Sequence, residues 1–139
     1  LKGEFDMSCK SAIYTAMQNP TGVSVDGVIP LGSLIRRYGC DIAMNGNAIN
    51  ILSKGYYDVD ASVTLTPTTA GTVTATLFLN GVAVPGATAS ATAAAGSTVL
   101  LSFPSLVRQA CCAAGSSLAI VLTGTASTVN NVALRVQRI

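Results

Sequence analysis

The chain is expected to fold as an all-β sandwich or jelly roll, and three observations lead there. Turn-forming residues recur roughly every eight to twelve positions, as in many-stranded β-domains. Between them apolar and polar residues alternate, and no helical period persists. The composition suits such a sheet: 13 of the 139 residues are glycine and half of all residues are hydrophobic. Tryptophan is absent and aromatics make up only 5%, so Val, Ile, Leu and Ala must fill the core.

The first strand is expected over residues 11–17, stopped by Asn19-Pro20-Thr21-Gly22. A second is expected over 23–31, with a local turn at Asp26-Gly27 and Pro30 favouring a strand end or edge. Residues 34–40 come next, carrying Arg36-Arg37 and ending around Gly39, and Asn45-Gly46-Asn47 turns the chain into 48–52. Gly55 opens the clearest strand, with Tyr57, Val59, Ala61, Val63 and Leu65 on one face. Tyr56, Asp58, Asp60, Ser62 and Thr64 lie on the other.

Residues 67–71 form the next turn. Val73, Ala75, Leu77 and Leu79 then alternate with Thr72, Thr74, Thr76 and Phe78. Asn80-Gly81 is the strongest hairpin signal, because both central positions of a type I′ turn need positive φ. Its partner strand is 82–85, succeeded by Gly86 and a Thr/Ala strand over 87–92; residues 93–96 read as a loop. Residues 98–103 and 106–110 read as one long strand kinked at Pro104. A turn at 113–115 leads into 117–123, and the last strand, 131–139, turns Val132, Leu134 and Val136 inward.

A chain of this length makes one domain with its own core, and no linker divides it. Leu1 to Asp6 differ in character from the rest of the chain, and Glu4-Phe5 is what an in-frame GAATTC cloning site encodes. Residues 1–6 are thus read as a cloning remnant ahead of a start at Met7, or else as an ordinary frayed terminus. Residues 7–27 form an N-terminal segment with one strand, and 28–139 the main domain.

Charge is scarce, at 10% of residues against about 25% in an ordinary soluble domain. Between Asp60 and Arg135 the only formal charge is Arg108. Thr, Ser, Asn and Gly interrupt every apolar run well short of the ~18 residues a membrane helix requires, so no membrane insertion is expected. A net charge of +2, with scattered Arg and Lys, gives no nucleic-acid footprint, and no leader peptide is visible. Soluble sheets normally guard exposed faces with charge; here partner subunits are expected to cover much of the surface.

Hydrolytic chemistry has few parts to draw on. Histidine is absent and the carboxylates number six, so neither a Ser nor a Cys nucleophile has its usual base. Asp58 and Asp60 share a strand face and are read as a solvated or salt-bridged pair, ahead of glycoside cleavage or cation binding. Arg36 and Arg37 are read as ion-pair partners of Asp41, Asp58 or Asp60, within or between subunits, ahead of gripping an acidic glycan. Arg108, alone in its uncharged stretch, has the best claim to a specific partner. Tyr14, Tyr38, Tyr56, Tyr57 and Phe78 are read as core or interface aromatics, ahead of a sugar-stacking role for the four tyrosines. The four cysteines show no metal-site spacing. Cys40 pairs with Cys111 or Cys112 across a sheet, Cys9 bridges subunits, or the thiols stay unbonded. No cofactor motif is present.

The segment Gly55-Tyr56-Tyr57-Asp58-Val59 with Val63 and Leu65, and the hairpin running from Leu77 through Asn80-Gly81 to Pro85-Gly86, resemble the jelly-roll heads of the tumour necrosis factor and complement globular-head superfamily. So do Ile29-Pro30-Leu31-Gly32 and the closing Val132-Ala133-Leu134-Arg135-Val136. The resemblance covers about residues 28–139 and is nearest to the bacterial and phage forms, such as the heads of collagen-like exosporium glycoproteins and of phage fibres. It implies a homotrimeric, non-enzymatic jelly roll in which Tyr57 and its face-mates fill the core while Thr-rich or Tyr56-bearing faces meet between subunits. No Gly-X-Y repeat precedes the head. That favours a phage or prophage virion protein, for host receptor or glycan attachment or for capsid or tail decoration. The alternatives are a bacterial cell-surface or spore-coat protein and, further off, a small carbohydrate-active enzyme using Asp58 and Asp60.

Overall fold

The computed structural model describes residues 10–109 and 115–139. It comprises eleven strands: β1 (Ala12–Met17), β2 (Thr21–Val23), β3 (Ser33–Tyr38), β4 (Ile42–Asn45), β5 (Ala48–Ile51), β6 (Gly55–Pro67), β7 (Gly71–Leu79), β8 (Val82–Ala93), β9 (Val99–Gln109), β10 (Ser116–Thr123) and β11 (Ser127–Arg138). They form two antiparallel sheets. The first runs β3-β1-β11-β6-β9, with β2 also paired to β11, and the second runs β4-β5-β10-β7-β8.

Period-two alternation builds the core between the sheets. From the first sheet come Ile13, Tyr57, Val59, Val63, Leu65, Val132, Leu134 and Val136; from the second come Ile49, Ile51, Val73, Leu77, Leu118, Ile120 and Leu122. Asn80 (φ 53°) and Gly81 (φ 81°) are both left-handed, as a two-residue primed turn between β7 and β8 requires. Pro104 sits on β9, an edge strand, opposite Asp60, and pairing with β6 continues in register across it.

The structure departs from the sequence-based elements in four places. Residues 23–31 are not one strand: Thr21–Val23, partly in the expected turn, form β2, and the path beyond is irregular. Asp26 is left-handed (φ 64°), and the segment is docked on β10 by Asp26 N–H to Leu122 O (2.7 Å), Ile29 N–H to Ile120 O (2.8 Å) and Leu122 N–H to Gly27 O (3.0 Å). This irregular path still buries Ile29 and Leu31 completely. Second, a short strand, β4, precedes the turn before β5. Third, β8 runs through Pro85-Gly86 without a break, its register with β7 shifting between Thr76 and Phe78. Fourth, β11 begins at Ser127 and absorbs an irregularity between Val129 and Asn131.

Gly32 lies in close approach to a neighbouring strand. Its φ is +77°, and a Cβ there would overlap Ala16 O and Met17 Cβ of the neighbouring strand. Gly46, in the β4–β5 turn, also has positive φ (+60°) but nothing within 4 Å of a Cβ. Gly46→Ala should therefore cost about 1 kcal/mol for backbone conformation alone. Gly32→Ala should cost at least about 2 kcal/mol more, because strand β1 has to shift. Urea denaturation midpoints of the two variants check this difference.

Candidate functional site

The strand pairings place side chains in rows across the outward face of the first sheet. One row reads Tyr38, Ala12, Gln137, Asp58, Leu106; the next reads Arg36, Tyr14, Arg135, Asp60, Pro104. Tyr56 and Arg108 are neighbours at one end, and Thr64 and Leu100 are neighbours toward the other. Asp58, Asp60 and Arg135 share this face because β6 and β11 pair antiparallel with Arg135 opposite Asp60.

Arg135 is the centre of the face. Its Nη2 donates to Asp58 Oδ2 at 3.0 Å and to Asp60 Oδ2, and its Nη1 donates to Gln137 Oε1 at 2.6 Å. The hydrogen bond to Asp60 acts most strongly to raise the guanidinium further above its ordinary range; burial opposes this, and the bond to Asp58 adds to it. A shallow depression of about 300 Å³ lies beside it, lined by Tyr14, Asp60, Ser62, Ser102, Ala133 and Arg135. Each member of the triad is more than a third exposed. Solvent screening therefore holds its contribution in the single subunit to less than about 1 kcal/mol. Around it Tyr14, Tyr38, Tyr56, Leu100 (63% exposed) and Leu106 (56% exposed) are open to solvent, beside the exposed Arg36 and Arg108.

A second constellation holds one end of the sandwich. Asp41 is 3% exposed and accepts from Arg138 Nη1 at 2.7 Å and from Ser11 Oγ at 3.2 Å, while its own N–H donates to Ser11 Oγ at 3.1 Å. Burial pushes the Asp41 carboxyl up, but hydrogen bonds from Ser53, Arg138 and Ser11 and the charge of Arg138 outweigh it. The net position is below the ordinary carboxylate value. Tyr57 is fully buried and donates its hydroxyl to Ser53 O at 2.7 Å. Burial, then the charge of Asp41, raises its phenol against the opposing charge of Arg138.

The residues singled out in the sequence are thus spread over several places. Asp58 and Asp60 meet Arg135, and Asp41 meets Arg138, so Arg36 and Arg37 do not pair with these acids within the subunit. Arg37 Nε instead donates to Ile42 O at 2.8 Å. Arg108 is exposed at the end of β9, and Phe78 is half-buried on the outward face of β7. Cys40 is disulfide-bonded. Cys9, Cys111 and Cys112 lie outside the described residues. Sequence reasoning gave no role to Arg135, Arg138 or Ser11, whose partners lie far away along the chain; the near-equal number of acids and bases was the only available hint. Among the described residues no cluster of three or more metal-ligating side chains occurs, and no helix is long and apolar enough to cross a membrane.

No family model matches the chain, and no curated protein does. Solved structures do match. Murine APRIL superposes with a TM-score of 0.69 at 10% identity, over 94% of this chain and 99% of that one. The globular domain of zebrafish complement 1qA gives 0.68 at 7% identity, over 92% and 95%. The PRD1 vertex protein P5 gives 0.62 at 11% identity, over 93% and 96%. The chain has an all-β, jelly-roll-like sandwich fold of the tumour necrosis factor and complement type.

The Asp41–Arg138 pair yields a pH dependence of stability. Asp41 has its folded value below the unfolded 3.8, so its contribution is complete above about pH 4 to 5 and is lost as pH falls through the folded value. Asp41→Asn should cost about 3 kcal/mol at neutral pH by leaving Arg138 without its buried carboxylate. The variant should also lose part of the acid-induced destabilisation of the parent. Thermal melts from pH 7 to pH 2 on both proteins measure the two effects together.

Proposed function

We propose that the chain is a non-enzymatic, homotrimeric surface protein of a phage or prophage virion, serving attachment to a host receptor or glycan or decorating the capsid or tail. The observation that carries this reading is the outward face of the first sheet, where exposed Tyr and Leu side chains surround the Arg135–Asp58–Asp60 cluster. Exposed tyrosines and leucines around a self-neutralised ion cluster favour contact with copies of the same chain.

Closed three-fold assembly joins two different patches head to tail. The face offers two, at opposite margins of one sheet. Strands β1 and β3 carry Tyr14, Arg36 and Tyr38; strand β9 carries Leu100 and Leu106, short of Arg108 near its end. Packing the β9 margin of one subunit against the β1–β3 margin of the next would cover the exposed leucines and tyrosines. It would also desolvate the Arg135 cluster, whose ion pairs would then become specific determinants of register. The vertex protein among the structural matches supports a place on a virion, and the fold it shares with extracellular cytokine and complement heads supports presentation of a surface. The proposed Cys40 pairing with Cys111 or Cys112 suits a protein working outside a reducing compartment.

Sedimentation equilibrium at micromolar concentration should give three times the chain mass. Leu106→Glu should shift that toward monomer, whereas Thr74→Glu, on the outer face of the other sheet, should not. A parent protein that sediments as a stable monomer would sink the reading. Peptide mapping without reductant should recover Cys40 linked to the peptide holding Cys111 and Cys112; recovery linked to Cys9 would refute that pairing.

A further inference from the structure

At the end of the first sheet, where β6 begins and β9 and β11 finish, Lys54, Gly55, Tyr56, Arg108, Gln109 and Arg138 line a pocket of about 330 Å³. We infer that this pocket is a binding site for an oxyanion, carboxylate or phosphate, carried on a surface polysaccharide. The polysaccharide as carrier rests on the attachment role proposed above; the oxyanion rests on the pocket alone.

Three of the protein's eight basic residues converge here, and among the described residues no carboxylate lines the pocket. Asp41 offsets the charge of Arg138, so the net positive charge comes from Lys54 and Arg108. Neither is ion-paired among the described residues. Arg108 presents a planar fork suited to two-point contact with a carboxylate or phosphate, and Lys54 adds a mobile point charge.

Gln109 borders the pocket from the end of β9. It is only 4% exposed, and its Oε1 accepts from Ser116 Oγ. Its amide nitrogen has no protein partner among the described residues, and the residue lines the pocket. Two unpaired cations supply the charge-assisted donors that an anion with several acceptor lone pairs needs. Tyr56, half exposed, supplies a ring against which a sugar face can pack.

Gly55 keeps the floor open. Its φ is +142°, and a Cβ there would stand 3.0 Å from Arg138 Nε and 3.4 Å from Nη2. A larger residue would push the guanidinium out of its position between Asp41 and the pocket. Sequence reasoning passed over Lys54 and Gln109, since nothing local links them to Arg108.

The test is calorimetric titration of the intact protein with sialyllactose, a galacturonic acid trisaccharide and glycerol 3-phosphate, using lactose as the neutral comparison. At least one acidic probe should bind about tenfold or more tightly than lactose at low salt, weakening as salt rises. The two sugar acids report the carboxylate source and glycerol 3-phosphate the phosphate source. Lys54→Ala combined with Arg108→Ala should weaken that binding about tenfold or more, and Arg36→Ala should leave it unchanged. No preference for acidic probes, or equal binding by the double variant, overturns the site. Oligomer mass is measured on the same samples. A trimer without anion binding removes only this inference, whereas a monomer that binds the anion leaves the site standing and removes the trimer.

Discussion

The antiparallel pairing of β6 with β11 is the constraint on which the rest of the molecule depends. It sets Val59 opposite Val136, Ala61 opposite Leu134 and Val63 opposite Val132, and all six turn into the core. The same register sets Asp60 opposite Arg135 and Asp58 opposite Gln137 on the other side. A slip of one residue would drive Asp58, Asp60 and Arg135 into the apolar interior and expose Val132, Leu134 and Val136. Core and surface cluster are therefore fixed by a single choice of alignment. The apolar core enforces that choice far more strongly than the exposed ion pairs can.

The two sheets keep their outward faces in water by different means. On the second, hydroxyls pair across strands β7 and β8: Thr72 with Thr92 at 3.0 Å, Thr74 with Ser90 at 2.8 Å and Thr76 with Thr88 at 3.0 Å. Cross-strand hydroxyl pairs stabilise a sheet while presenting a neutral, hydrated surface. The first sheet has no such ladder over β1, β11 and β9, and its exposed residues include tyrosines and leucines beside Arg36, Asp60 and Arg108. Scarcity of charge on its own does not tell these cases apart. Threonine can satisfy its hydrogen bonds with a neighbour and with water together, so the Thr-lined face has less need of a covering subunit. The Tyr56-bearing face has more.

Legibility in the sequence tracks interaction range. The alternation in β6 and β7 and the Asn80-Gly81 turn are local, so the strands and hairpin could be read directly from residue order. Residues 23–31 misled because Val23, Val25, Ile29 and Leu31 look like strand residues, although Asp26 turns the chain and only part of the segment pairs with β10. Burial of Asp41 was hidden because its partners, Ser11 and Arg138, come from β11 and the approach to β1. Asp58 and Asp60 were visible as a pair on one face. Their guanidinium lies on another strand, and no local rule links the two.

Arg138 belongs both to the interior of the fold and to its surface pocket. One edge of its guanidinium is held by Asp41 inside the fold, and the group also borders the pocket shared with Lys54 and Arg108. Burying Asp41 depends on Arg138, so the cation cannot swing away toward a ligand without leaving a carboxylate unpaired. It is thus a fixed element of the pocket wall, while Lys54 and Arg108 supply the charge that can adjust. Asp58 and Asp60, on the same face, are already tied to Arg135. The field of the two cations reaches about a Debye length, roughly 8 Å at physiological salt. In a protein with ordinary surface charge, a pair of basic side chains would be one feature among many; here the sparse charge makes their position informative.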